Sequence, residues 1–229
     1  MKIIGLIGGT TWVSTLEYYK IINETIKEKL GGLHSAHCIL YSVDFDEFIS
    51  KHEGNWKEIT SSFISIAKKL EQVGADFFII CANTMHKIAD DIQDCVNIPL
   101  LHIVDVTAEK IRKRGLRKVG LLGTKITMED DFYKKRLKQR FDIEAIVPDS
   151  EDREVINNII FDELSHELIR KSSKDKYVKI IDNLFLNGAE GIILGCTEIP
   201  LLINQSDVNI PVFDTTSIHA KAAVEYALK

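Results

Sequence analysis

The chain has 229 residues, of which 45% are hydrophobic, enough to bury a sizeable core as one large or two small domains. A net charge of -5 offers no basic surface for nucleic acid, so any anion site must be local. No apolar run reaches membrane-spanning length, Lys2 leads into a strand-length run rather than a signal peptide, and the four cysteines show no CxxC spacing. The expectation is a soluble chain in a reducing, cytoplasmic compartment.

In chain order, residues 2–7 form an apolar run of strand length closed by Gly8-Gly9-Thr10. Ser14-Thr15-Leu16-Glu17 has capping-box spacing and opens a helix that ends at Gly31-Gly32. Residues 38–43 read as a strand. Ile59, Phe63, Ala67 and Leu70 share one helical face, which stops at Gly74. Residues 76–80 then read as a buried strand, residues 85–92 as a helix capped at Asn83, and residues 98–102 as the start of another strand. Residues 118–122 form the next strand, closed by Gly123-Thr124, with helices near 127–139 and 151–170. Tyr177, Ile180, Ile181 and Leu184 make a further helical face, followed by strands at 191–194 and 210–213. This alternation predicts parallel βαβ units and an α/β fold.

The second half repeats the first. Phe78-Ile79-Ile80-Cys81-Ala82-Asn83-Thr84 aligns with Ile192-Ile193-Leu194-Gly195-Cys196-Thr197-Glu198, and Ile98-Pro99-Leu100 with Ile210-Pro211-Val212. The N-terminal strand with Gly8 likewise matches residues 118–123. We expect two similar lobes related by internal duplication, each a parallel sheet flanked by helices, with the active site between them. The first lobe spans 1–100, completed by a helix over 215–229, and the second spans 101–214. Ligands of such sheets bind beyond the C-terminal strand ends, where both copied motifs fall.

Cys196 follows a strand directly, where succeeding amides and a helix dipole would favour a thiolate. Thr197 adds a hydroxyl, and Glu198 a carboxylate able to relay the sulfur's proton. Asn83 and Thr84 offer an amide and a hydroxyl suited to a carboxylate. Gly8-Gly9-Thr10-Thr11 fits neither GxGxxG nor a P-loop, so a nucleotide is not expected. His34, His37 and Cys38 match no zinc spacing, and no metal is expected.

On Gly5-Leu6-Ile7-Gly8-Gly9, Asn83-Thr84-Met85-His86-Lys87, Gly195-Cys196-Thr197-Glu198-Ile199 and Pro211-Val212-Phe213-Asp214, the chain resembles the aspartate/glutamate racemase family. The resemblance is to its broad-specificity bacterial branch and covers essentially the whole chain. It implies an isomerase acting on a small amino acid or dicarboxylate without pyridoxal phosphate, metal or other cofactor, and a homodimer. One thiolate would remove the α-proton while a thiol on the opposite face returns one. Asn83, Thr84 and Thr197 would hold the α-carboxylate, with Gly9 and Thr10 lining the pocket. His52, Arg153 and Asn158 are the candidates for the distal carboxylate.

The family's first thiol directly precedes Asn-Thr, and this chain has Ala82 there. Cys81 lies one residue earlier, which on a strand is the opposite face. The expectation is therefore an asymmetric site with Cys196 as its thiol. Two alternatives remain at this point: a single-thiol decarboxylase of malonates, and a catalytically decayed protein that binds small carboxylates.

Overall fold

The computed structural model describes residues 1–52 and 55–229, apart from the side chains of Ile49, Lys51 and His52. It divides into two compact units, Met1–Ile103 with His219–Lys229, and Val104–Ile218, boundaries a few residues beyond those read from the sequence.

The first unit contains β1 (Ile4–Gly8), α1 (Trp12–Leu30), β2 (Cys38–Ser42), α2 (Phe45–His52), α3 (Trp56–Gln72), β3 (Phe77–Ile80), a 3-10 turn over Thr84–Ile88 and α4 (Ala89–Gln93). Its strands are parallel, in the order β2-β1-β3. The chain leaves through α5 (Ile103–Lys113) into β4 (Lys118–Gly123), α6 (Lys125–Glu129), α7 (Asp131–Phe141), β5 (Glu144–Ile146), α8 (Ser150–Asp162), α9 (Lys171–Leu186), β6 (Ile192–Gly195) and β7 (Val212–Asp214). Those strands are also parallel, in the order β5-β4-β6-β7. The last helix, α10 (Thr215–Ala227), returns the chain to the first unit.

Central strands buried on both faces explain the continuous apolar runs. On β3 the faces separate cleanly. Phe78 and Ile80 pack with Phe63 and Leu70 of α3. Phe77 and Ile79 pack with Tyr18 and Ile22 of α1 and with Ala220 and Val224 of α10. In the second unit, Ile192 and Leu194 pack against Ile156 and Ile160 of α8 and Tyr177 and Ile181 of α9.

The duplication extends to side-chain bonds. Gln93 donates to the Val96 and Ile98 carbonyls and accepts from the Leu100 amide. Gln205 does the same with Val208, Ile210 and Val212. Asp76 accepts from the Ile3 amide, and Glu190 from the Lys118 amide. The expected strand at 98–102 shrinks to one bridge, Phe78 with Leu100, at the place where the second unit pairs Ile192 with Val212. The Phe78 amide donates to the Pro99 carbonyl and the Leu101 amide to the Phe78 carbonyl, and the chain then enters α5 at Ile103.

Four local expectations are corrected. The cap of α1 is Thr11, whose hydroxyl accepts from the Ser14 amide, so Ser14 is the third helical residue. Asp130 is extended and caps α7 with its own carboxylate, which splits the helix expected near 127–139. Helix α8 stops at Asp162 because a 3-10 turn and the left-handed Glu167 follow. Residues 84–88 form a 3-10 turn before α4, and Asn83 makes no side-chain cap bond to it.

Gln93→Leu removes three partly buried backbone bonds at once and is expected to lower stability by about 1–3 kcal/mol in a urea titration; an unchanged midpoint would contradict this account.

Candidate active site

In the second unit, β6 ends at Gly195, where a Cβ would stand 2.7 Å from the Leu122 carbonyl. That close approach delivers Cys196 beyond the strand end, buried at 8% exposure. Its Sγ–H donates to Glu198 Oε2 at 2.9 Å, and the Thr197 hydroxyl donates to the same oxygen at 2.7 Å. Glu198 is itself buried. Burial pushes the Cys196 thiol well above its usual range, and the Glu198 charge and hydrogen bond push it further. The amides of Glu198 and Thr197 act in the opposite direction and do not prevail. No α-helix follows, only a 3-10 turn over Ile199–Leu201, so the dipole expected to favour a thiolate is missing. The resting sulfur is a protonated thiol beside a carboxylate acceptor, which corrects the thiolate expectation.

In the first unit, Gly9 has φ +91, and a Cβ there would collide with the Val43 backbone. Its amide donates to the Thr15 hydroxyl at 2.8 Å. Thr10 is 6% exposed, and its hydroxyl has no hydrogen-bond partner among the described residues. Beyond β3, Cys81 is fully buried in the core shared with α1 and α10, and burial alone pushes its thiol far up.

Sheet register aligns the two strand ends. Ile7 pairs with Ile80 just before Gly8, and Leu122 pairs with Leu194 just before Gly123. Two residues further on, Ala82 stands where the second unit has Cys196. Ala82 packs toward the face of Phe78 and Ile80, opposite Cys81. Asn83 is buried and Thr84 half-buried directly after it. The strand end of the first unit therefore carries hydroxyl, amide and backbone groups, and that of the second unit a thiol–carboxylate pair.

A family model described as Asp/Glu/Hydantoin racemase matches residues 7–223. The chain belongs to that family. Over the full length of both chains it is 50% identical to a protein from Yersinia pestis provisionally assigned to the Asp/Glu racemases, with a TM-score of 0.94. It is 45% identical to an aspartate racemase homologue from Pyrococcus horikoshii OT3, again over both full chains, with a TM-score of 0.89. It is 25% identical to the broad-specificity amino-acid racemase RacX of Bacillus subtilis (strain 168), over 96% of each chain. These relatives support the racemase reading and give no support to the malonate decarboxylase or the decayed binding protein.

Against this racemase family background, the distal-carboxylate candidates fare unequally. His52 closes α2, and its side chain lies outside the described residues. Arg153 is engaged by Glu129 at 3.1 Å and by the Pro148 carbonyl at 2.7 Å, and Asn158 is exposed. An open cavity of about 360 Å³ lies over the end of β2, against α2 and α3, and includes none of the predicted site residues. Two residues that shape the first half-site were missed from sequence. Thr15 holds the Gly9 amide, and His86 donates from Nδ1 to the Ala82 carbonyl at 2.7 Å. The signal was present in both cases, as the helix start at Ser14-Thr15 and as the His of Asn-Thr-Met-His-Lys.

Glu198→Gln removes the charge that disfavours the thiolate, so the Cys196 thiol is expected to titrate at lower pH. The check is the pH dependence of iodoacetamide alkylation mapped to Cys196; an unchanged or upward-shifted profile would refute the assigned cause.

Proposed function

We propose that this racemase family member interconverts the enantiomers of a small amino acid, aspartate, glutamate or a relative, without pyridoxal phosphate or metal. We further propose that Cys196 is its one catalytic thiol. The observation that carries this reading is the buried Cys196–Glu198 hydrogen bond at one strand end, with Ala82 at the duplicated position.

A protonated Cys196 can give its proton to the planar carbanion formed at Cα. The thiolate left behind is met by the Thr197 and Glu198 amides and is reprotonated through Glu198. In the reverse direction Glu198 takes the thiol proton first, and the thiolate then abstracts from Cα. As the α-proton leaves, charge moves into the substrate carboxylate, so the Asn83 and Thr84 groups assigned to hold it strengthen their bonds in the transition state; Thr197 joins them only by turning its hydroxyl away from Glu198 Oε2. The opposite face of Cα has no sulfur to serve it, and water or a hydroxyl must do so. Thr10, buried and with its hydroxyl unengaged among the described residues, is the side chain we assign to orient a water there, which passes the proton to or from bulk solvent. Gly9 lines the pocket because no side chain fits there.

The same reading includes a homodimer, by family resemblance, and a cytoplasmic location, supported by four cysteines that are all unpaired. No helix among the described residues is long and apolar enough to cross a membrane.

Incubating the purified protein with L-aspartate, L-glutamate and L-homoserine, followed by chiral chromatography, tests the proposal. The D-enantiomer of at least one is expected, with Cys196→Ala slower by about 100-fold or more. Ala82→Cys is expected to speed the direction limited by the sulfur-free face. No conversion of any of the three, or a Cys196→Ala variant equal to wild type, would overturn it.

A further inference from the structure

The first unit buries three histidines, His86, His102 and His219, at 3%, 6% and 0% exposure. The His86 ring lies 4.7 Å from that of His102 and 5.6 Å from that of His219, both edge-on. Nothing in the proposed reaction uses them. Two of them flank the places where the chain passes between units: His102 precedes Ile103, the last residue before the second unit, and His219 is the first residue after it.

The hydrogen bonds fix the protonation pattern. A carbonyl only accepts, so His86 Nδ1 carries the hydrogen donated to Ala82 O at 2.7 Å. His86 Nε2 accepts from the Ile103 amide at 3.3 Å. His86 is therefore a neutral imidazole in one tautomer, with each nitrogen engaged by backbone. His219 Nε2 likewise donates to the Leu101 carbonyl at 2.8 Å, leaving Nδ1 to accept from the Tyr18 hydroxyl at 2.9 Å. Burial lowers the His219 pKa to about 4, so it packs on His86 without charge. With both His86 nitrogens and both His219 nitrogens engaged this way, neither of those two rings has a lone pair left for a metal.

What His86 grips is the carbonyl of Ala82, the residue at the missing-thiol position and the one immediately before Asn83 and Thr84. Beyond β3 the Cys81 amide still donates to the Ile7 carbonyl at 2.9 Å and the Ser14 hydroxyl to the Cys81 carbonyl at 3.2 Å, and the next carbonyl, that of Ala82, is the one His86 holds. The imidazole extends this set of bonds by one residue, and the His102 and His219 rings pack edge-on against it.

We propose that His86 is a positioning residue for this strand end: by holding the Ala82 carbonyl through Nδ1, it sets where Asn83 and Thr84 present their polar groups to a substrate carboxylate. The proposal rests on the reading that those two residues bind the carboxylate. It makes no claim that His86 touches substrate.

The test separates the two ring nitrogens and uses binding, so that it does not depend on turnover. In a Cys196→Ala background, L-aspartate and L-glutamate binding is measured by calorimetry for His86, His86→Asn and His86→Gln, with thermal midpoints recorded alongside. Asn retains a donor at the Nδ1 position and is expected to hold the dissociation constant within about threefold. Gln reaches the Nε2 position but loses the donor to Ala82, and is expected to weaken binding tenfold or more, about 1.4 kcal/mol. A Gln variant that binds like wild type, or an Asn variant as weak as Gln, overturns the proposal while leaving the carboxylate reading intact. Absence of binding with His86 in place sinks the carboxylate reading and this proposal with it.

Discussion

Side chains on a strand alternate between its two faces, and at the ends of β3 and β6 this alternation decides which atoms are available for chemistry. Parallel pairing with the central strand of each sheet sets the phase. With Ile80 opposite Ile7 and Leu194 opposite Leu122, the residue two places further along is Ala82 in one unit and Cys196 in the other. Cys81, one residue off that phase, is committed to the core of α1 and α10. The glycines act under the same constraint: Gly195 lets β6 run close to Leu122, and Gly9 lets the first turn pass the Val43 backbone.

The two buried thiols differ in their surroundings rather than in burial. Both are held protonated. For Cys81 burial is the cause, and its neighbours are aliphatic and aromatic side chains. For Cys196 burial is joined by a carboxylate, while two backbone amides favour the opposite state. A sulfur with a proton acceptor on one side and amides ready for negative charge on the other can change protonation state within a cycle. Glu198 therefore raises the energy of the isolated thiolate, and in the proposed reaction it would also supply the route by which that thiolate forms.

Much of the architecture was legible in the residues because strand and helix signals agree with each other. Apolar runs ending in glycine marked β1, β4 and β6, and the helical face of Ile59, Phe63, Ala67 and Leu70 marked α3. The offset between halves was visible in sequence, and the matching bonds of Gln93 and Gln205 express it physically. Misreadings arose where a polar side chain competes with the backbone. Asp130 resembles one more charged helical residue but caps a new helix with its carboxylate, and Thr11 caps α1 three residues ahead of the expected box. At the site, Cys196, Ala82 and the phase of Cys81 followed from periodicity. The protonation of Cys196 did not, since it depends first on burial and then on the Glu198 carboxylate turning toward the sulfur. His86 stood in view within Asn-Thr-Met-His-Lys, but its hold on the Ala82 carbonyl depends on the 3-10 turn that carries it, which has no periodic signature.

The account stands on Cys196 acting and Cys81 packing. The most direct measurement is α-proton exchange of L-aspartate and L-glutamate in D₂O, followed by proton NMR, for wild type, Cys81→Ala and Cys196→Ala. The account predicts that folded Cys81→Ala exchanges near the wild-type rate while Cys196→Ala loses exchange. A folded Cys81→Ala variant that loses exchange, or a Cys196→Ala variant that keeps it, would contradict the assignment.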